Sequence, residues 1–450
     1  MIKLGVEQEE AISKIKEFIN SSEVTFSLQG FAGTGKSTII KYICEYLANK
    51  YISFLLAAPT HKAKLVLETF TGLEGVTVHK LLALSPNIEI FELDFNELIF
   101  RINDNQLLFP TNGVIICDEA SMINDYLYDL LLTKAKAFNC KIIFVGDKAQ
   151  LRPVNAQYYS KVFEVENSFT LEHIYRQESD SGLSAVLPTL RHSVIPKFID
   201  RVGENGSLIC YNSTLEFFRK ALPYFKKALK NSDIMETKFL AYTNNRVDAF
   251  NNKIREVLFN SDKEYNKFEF VTGFDNIEFN YDKFYNSMDY VIVDEPVKKD
   301  VQIPFFIKLP GYVLNLYDGS NKSTNEVFVL SKDIPKDYLD SLAYTIEKIR
   351  LEAIELKRQR SRRSSERWKD YYYMMGSFAT SFNLYYDNRL IRKKSFGYGY
   401  AITTHKSQGS SIRNVFIDMK DISICKDREE LRQLQYVSVS RARENVFILQ

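Results

Sequence analysis

Long apolar runs, paired cysteines and a surplus of either charge are all missing from this chain of 450 residues, and each absence excludes something. No uncharged apolar stretch approaches the roughly 20 residues that a membrane-spanning helix needs. The amino terminus, Met-Ile-Lys-Leu, leads straight into an amphipathic pattern without the apolar core and cleavage site of a secretion signal. A soluble, cytoplasmic protein with no membrane contact is expected. Cys44, Cys117, Cys140, Cys210 and Cys425 stand far apart, with no C-x-x-C pair and no His/Cys cluster at zinc-ligand spacing. They read as buried free thiols in a reducing compartment. The 59 basic and 57 acidic side chains leave a formal charge of +2, too little for an overall field that attracts a polyanion. Contact with nucleic acid would have to come from local patches. Spaced carboxylates or histidines of the kind that build a nuclease metal site do not stand out either, so no intrinsic cleavage is expected.

What is present is a large apolar fraction, 45% of the residues, enough for two or three packed domains. Ala11, Ile12, Ile15, Phe18 and Ile19 recur at helical spacing, Val24 to Gln29 alternates as a strand, and the glycine-rich turn Gly30 to Gly35 opens another helix. Apolar runs at Ile52 to Ala58, Val114 to Cys117 and Ile142 to Val145 each end in polar residues, as buried parallel strands do when their carboxyl ends line a site. A second set, Phe239 to Tyr242, Ala401 to Thr403, Val415 to Ile417 and Val446 to Leu449, predicts another parallel sheet built from two separated stretches. Between them, Tyr290 to Leu330 reads as short β segments broken at Leu309-Pro310-Gly311 and Asp318-Gly319-Ser320-Asn321, and Leu339 to Tyr373 as long helices. Within 348–369, nine cations (Lys348, Arg350, Lys357, Arg358, Arg360, Arg362, Arg363, Arg367 and Lys369) face only Glu352, Glu355 and Glu366, a surplus of 9 − 3 = 6. Such a segment either touches phosphates or is a solvated helix face.

Gly30-Phe31-Ala32-Gly33-Thr34-Gly35-Lys36-Ser37 fits G-x-x-x-x-G-K-[ST], followed by Thr38. Small residues there let backbone N–H groups wrap phosphates at a helix amino terminus, with Lys36 neutralising the β and γ phosphates and Ser37 holding Mg²⁺. Asp118-Glu119 closes a predicted strand, placing Asp118 on the metal and Glu119 beside the attacking water. Gln150, in Gly146-Asp147-Lys148-Ala149-Gln150, could bond the γ-phosphate and report its loss; a plain turn is the alternative. Phosphoryl transfer relies on positioning and positive charge, and arginines supplied from a neighbouring lobe make hydrolysis depend on closure. Arg176, in Tyr-Arg-Gln, and Arg441, in Ser-Arg-Ala-Arg, are the candidates.

Taken in order, these motifs, with Ala58 to Lys64, Thr77 to Lys80, Gly146 to Pro153, Tyr175 to Gln177, Tyr400 to Gly409 and Tyr436 to Arg443, resemble the superfamily 1B helicases of the RecD-like and Dda-like phage type over nearly the whole chain. The resemblance implies two RecA-like α/β motor lobes. It places the first at 1–84 and 111–177, a hairpin insertion at 85–110, the second lobe at 178–280 and 396–450, and an SH3-like barrel with a helical projection at 281–395. By the same resemblance Gln8 would read adenine and the backbone of Gly409 would approach the γ-phosphate. Pro59, Thr60, His61, Lys62, Thr77, His79, Thr404, His405 and Lys406 would contact single-stranded DNA. Phe95, flanked by Phe91 and Phe100 in Asn87 to Phe109, would stack on the junction base pair as the Dda-like pin does, or else pack on its own lobe.

The implied activity is ATP- and Mg²⁺-dependent movement from 5′ to 3′ on single-stranded DNA, unwinding forked duplex without sequence preference, in a monomer and in the host cytoplasm if phage-encoded. Replication or recombination proteins are the implied partners. Two rivals share the motifs: a DNA-dependent ATPase that translocates or remodels protein–DNA complexes without unwinding, and a noncatalytic subunit of a nuclease or replication complex that uses nucleotide to regulate assembly. RNA stays open as a substrate, because contacts to the backbone need not read a 2′-hydroxyl.

Overall fold

A computed structural model describes residues 4–86, 100–102, 107–153, 156, 158–174, 182–260, 262–279, 282–319 and 324–450. The strand Val114–Cys117 shows why the chain folds in layers. It is buried along its whole length, with Val114 and Ile116 in one apolar cluster and Ile115 and Cys117 in another, so each face of the sheet must be covered. Six parallel strands form this first sheet, in the order 75–77, 54–58, 114–117, 141–146, 25–30, 168–171. Because all run the same way, Gly30, Ala58, Thr77, Cys117 and Gly146 end at one edge, and the loops that follow them meet there.

The second sheet is likewise parallel, in the order 401–403, 237–241, 412–418, 442–449, 208–211. Its faces are covered by a cluster rich in phenylalanine, including Phe217, Phe225, Phe239, Phe250 and Phe416, and by an aliphatic cluster around Leu240, Val415 and Val437. Together these are the two parallel-sheet lobes that the strand pattern predicted.

Between the halves of the second lobe lies an antiparallel half-barrel, ordered 297–302, 308–317, 289–292, 270–273, 396–398, with 325–330 paired to 308–317. It takes Phe270–Gly273 and Phe396–Tyr398, which the sequence boundaries at 281 and 395 assigned to the second lobe. The reason is register: Val271 pairs with both Tyr290 and Tyr398, so the short strands entering and leaving the insertion complete its sheet.

Helices Lys336–Arg358 and Arg363–Met375 project from the half-barrel and share its core through Leu342, Ile346, Ile349, Trp368, Tyr371 and Met374. Trp368 and Tyr371 are therefore packing residues, whereas Tyr372 and Tyr373 face solvent. Part of the basic surplus is neutralised: Arg350 bonds Glu347, and Arg367 bonds Glu352 and Asp370.

In the first lobe Leu84–Pro86 pairs antiparallel with Phe100–Ile102, so the insertion leaves and returns as a two-stranded ladder. Phe91 and Phe95 lie outside the described residues, as do Tyr175, Arg176 and Gln177. Among the described residues no helix is long and apolar enough to cross a membrane.

Candidate nucleotide site and interlobe cleft

The strand Thr25–Gly30 ends in a loop whose Gly33 and Gly35 hold φ of 87° and 86°, and the helix Lys36–Asn49 starts directly after it. At Gly35 a Cβ would approach the Gln8 amide nitrogen to 2.1 Å, so only glycine gives both the left-handed turn and the room. Lys36 Nζ donates to the carbonyls of Gly30, at 2.7 Å, and Phe31, at 3.0 Å, closing the loop on itself. The Thr34 hydroxyl and N–H also donate to the Phe31 carbonyl, at 2.9 and 3.3 Å.

Gln8 lies against the phosphate loop. Its amide oxygen accepts from the Gly5 N–H at 3.0 Å and its nitrogen donates to the Thr34 carbonyl at 3.1 Å, in a buried position. One N–H and one oxygen lone pair of the amide are thus used within the chain, so Gln8 braces the phosphate loop while a second N–H and a second lone pair remain.

Asp118 and Glu119 follow the strand two places away from the loop in the sheet. Burial, then the neighbouring Glu119, push the Asp118 carboxyl up to about 7, with the Glu119 N–H and the Lys36 ammonium acting the other way. Glu119 holds a left-handed φ of 52°, a strained conformation for a residue with a side chain and one that active sites often keep. Gln150 is buried, and its amide oxygen has no partner. Buried polar atoms are nearly always satisfied, so this acceptor fits a donor reaching the site, such as a water beside the phosphates; a phosphate oxygen, itself an acceptor, would bond the amide nitrogen instead. Ser37 and Asp118 are hard oxygen donors of the type Mg²⁺ takes, and the loop, lysine and acid pair together fit a nucleotide triphosphate with its metal.

Arg441 belongs to the second lobe, at the carboxyl end of the helix Arg428–Ser440. Its guanidinium is buried and bonded to the Val437 and Ser410 carbonyls and the Ser440 hydroxyl. In this arrangement it faces its own lobe, so a role at the phosphates requires the side chain to turn or the lobes to close.

The predicted DNA residues divide. Thr60 caps the helix His61–Thr71 by accepting from the Ala63 N–H at 3.1 Å, which leaves its own O–H free to donate. Thr77 caps its helix in the same way but is 6% exposed. Thr404 is wholly buried and donates to the Ala241 carbonyl at 3.3 Å, so its side chain cannot hold a phosphate as expected. Lys62 is corrected for a similar reason: its ammonium lies 3.0 Å from Asp289 of the half-barrel, in a pair whose side chains are 5% and 1% exposed.

His61 stacks on Tyr285 with ring centroids 3.6 Å apart, and burial, with Lys64 next, lowers its pKa to about 4. Burial also lowers His79 and His405. His405 Nε2 lies 3.5 Å from Glu430. Lys406 lies over the Phe274 ring, 3.2 Å from its centroid, and its Nζ has no hydrogen-bond partner. Gly409 holds a left-handed φ of 71° and lies beside Ala63 of the first lobe, with which an added Cβ would make ordinary contact at 3.4 Å.

Comparison with known proteins matches the geometry. The AAA domain family covers residues 3–213, and the UvrD-like helicase C-terminal domain family covers 398–449. The ATP-dependent DNA helicase dda of Enterobacteria phage T4 is 26% identical over 98% of both chains. The RecBCD enzyme subunit RecD of Buchnera aphidicola is 23% identical over 94% of this chain and 69% of that protein. This chain belongs to the superfamily 1B helicases of the Dda- and RecD-like type. A Pif1 helicase from Bacteroides, solved in complex with ADP-AlF3 and ssDNA, shares the fold of this helicase, with a TM-score of 0.52 and 16% identity over the whole of this chain and 92% of that one.

Sequence reasoning missed the residues that join the helicase's lobes. The Tyr436 hydroxyl accepts from the Ala32 N–H at 3.1 Å and donates to Asp147 at 2.7 Å, partners 404 and 289 positions away in the chain. The Arg191 guanidinium lies 3.6 Å from the Phe31 ring centroid. Asp289 gathers Lys62 from the first lobe, Lys238 from the second at 3.0 Å, and the Thr272 hydroxyl at 2.6 Å. Tyr436 and Asp147 fall inside motifs that the sequence singled out, but nothing in their spacing says that they meet.

Proposed function

We propose that this superfamily 1B helicase is an ATP-dependent DNA helicase that moves from 5′ to 3′ along single-stranded DNA and separates duplex without reading sequence. The observation that carries the reading is the cleft. A complete phosphate loop and acid pair on one parallel-sheet lobe face a second lobe whose helix, 428–440, docks on the same loop and ends in Arg441. An ATP hydrolase of this construction senses the separation of its two halves.

Backbone N–H groups of the loop, from Gly30 through Thr38, would cradle the phosphates, and Lys36 would leave the Gly30 and Phe31 carbonyls to meet them. Mg²⁺ held by Ser37 and Asp118 would supply charge neutralisation at the phosphates. Glu119 orients and deprotonates the attacking water, Gln150 bonds the terminal phosphate, and Arg176 and Arg441 bring positive charge from across the cleft on closure. Pro59, Thr60, His61, His79 and Lys406 line the path for a strand lying across both lobes, where contacts to the backbone give grip without sequence readout. Thr77, Thr404 and Lys62 support that surface from beneath, and a monomer contains every part.

The dda helicase of phage T4, an ATP-dependent DNA helicase by name, supports this reading along the full chain, as does a Pif1 structure holding ADP-AlF3 and ssDNA. The test is strand displacement on duplexes carrying a 5′ or a 3′ single-stranded tail, with a trap for the freed strand. Displacement from the 5′-tailed substrate is expected. Preference for the 3′ tail would overturn the direction, and translocation without displacement on either would make the protein a remodelling translocase.

A further inference from the structure

One peptide group of the phosphate loop is held from two sides. Its carbonyl, of Phe31, accepts from Lys36 Nζ and from Thr34; its N–H, of Ala32, donates to the Tyr436 hydroxyl of the second lobe. Tyr436 is wholly buried, and so is Asp147, whose second oxygen accepts the Tyr436 proton while the first accepts from the Ala149 N–H at 2.9 Å. The helix that carries Tyr436 is fastened to the same first-lobe segment: Arg152 bonds Asp427 at 2.9 Å, and Ala149 and Leu151 pack in the second lobe's core. Arg191 stacks on Phe31 from the same side of the cleft. Tyr436 is thus the one described side chain whose hydroxyl bonds both the phosphate loop and the segment bearing Gln150.

We propose that Tyr436 is a positioning residue through which the second lobe reads whether the phosphate loop is filled. The inference rests on the ATP-driven reading above. When phosphates draw Lys36 away from the Phe31 carbonyl, that peptide loses a charged donor on one side. Hydrogen bonds in a chain polarise one another, so the strength and direction of the Ala32 N–H bond to Tyr436 change with it. The hydroxyl is fixed by Asp147 and cannot simply rotate to follow; the 428–440 helix responds instead, and with it Arg441 at its end. Coupling between two sites is a free energy carried by contacts that differ between states, and this contact differs by construction.

The test is Tyr436→Phe, which keeps the ring in the core and removes both hydrogen bonds. Two quantities are read: steady-state ATP hydrolysis at saturating oligo-dT, and the ratio of oligo-dT dissociation constants with and without a nonhydrolysable ATP analogue. The expected result is a kcat lowered about tenfold with KM for ATP within about twofold, and a dissociation-constant ratio moved most of the way to one. An unchanged ratio with unchanged kcat overturns the proposal, as does a loss confined to KM, which would make Tyr436 a prop for the loop alone. If the phenylalanine variant does not fold, Asp147→Asn decides: it retains an oxygen for one of the two bonds and should shrink the ratio in the same direction, and an unchanged ratio there overturns the proposal. Wild type that lacks DNA-stimulated hydrolysis in the same assay instead removes the motor reading itself.

Discussion

Lys36 is held by two loop carbonyls, weaker acceptors than phosphate oxygens, so its ammonium is poised to transfer to a better acceptor. Removing that charge in Lys36→Ala should lower turnover by roughly 10²–10³-fold or more, and Glu119→Gln should retain ATP binding while losing turnover to a similar extent. Nucleotide-binding and phosphate-release assays on the two variants separate these effects, and normal turnover in either would remove the proposed site. Lys406 makes a different prediction. Burial, then Lys393 and Lys394, with Lys62 adding and Asp289 opposing, push its ammonium down to about 7 from an ordinary 10.5. Between those values the unfolded chain binds the extra proton, so this group makes the fold more stable as pH rises through the window. Bound phosphate favours the ammonium, so affinity for an oligonucleotide should fall as pH rises from about 6 to about 9. Lys406→Arg keeps its charge and should flatten the profile; a wild-type profile as flat as the variant's would show that Lys406 carries no phosphate.

At the scale of elements, Asp289 joins the half-barrel to both lobes. Burial alone raises its carboxyl, but Lys238, Lys62 and the Thr272 hydroxyl outweigh that and hold it below the usual carboxylate range. Its contribution to stability is therefore complete above about pH 4 and is lost in stronger acid, as the pH falls through its lowered folded value. Asp289→Ala strands two buried ammonium groups and should cost about 3–5 kcal/mol, read from the urea midpoint. An unchanged midpoint would mean that the pair is not formed in solution. The elements themselves were largely legible. The strands Val114–Cys117 and Ala401–Thr403 were predicted with the ends they have, because a fully buried parallel strand is a continuous apolar run bounded by polar residues. Phe270–Gly273 and Phe396–Tyr398 were not assigned to the half-barrel, since strand period gives burial but not the partner.

For the whole molecule, the sequence revealed the two lobes and the chemistry of the cleft through local signals: a glycine turn before a helix, an acid pair after a strand. What it could not reveal is how the halves meet. Thr404 and Lys62 lie in motifs expected at the DNA, yet the fold turns one hydroxyl onto the Ala241 carbonyl and one ammonium onto Asp289, because buried polar groups must first be satisfied within the chain. Tyr436 went unassigned for the converse reason, its partners lying far away in sequence.

In the proposed motor, lobes fastened to each other at the phosphate loop should make hydrolysis conditional on a strand that bridges them. The most direct measurement is steady-state phosphate release by the purified protein with and without a single-stranded oligonucleotide at saturating ATP. Release should rise at least about tenfold when the strand is added. Equal rates with and without it would contradict the account.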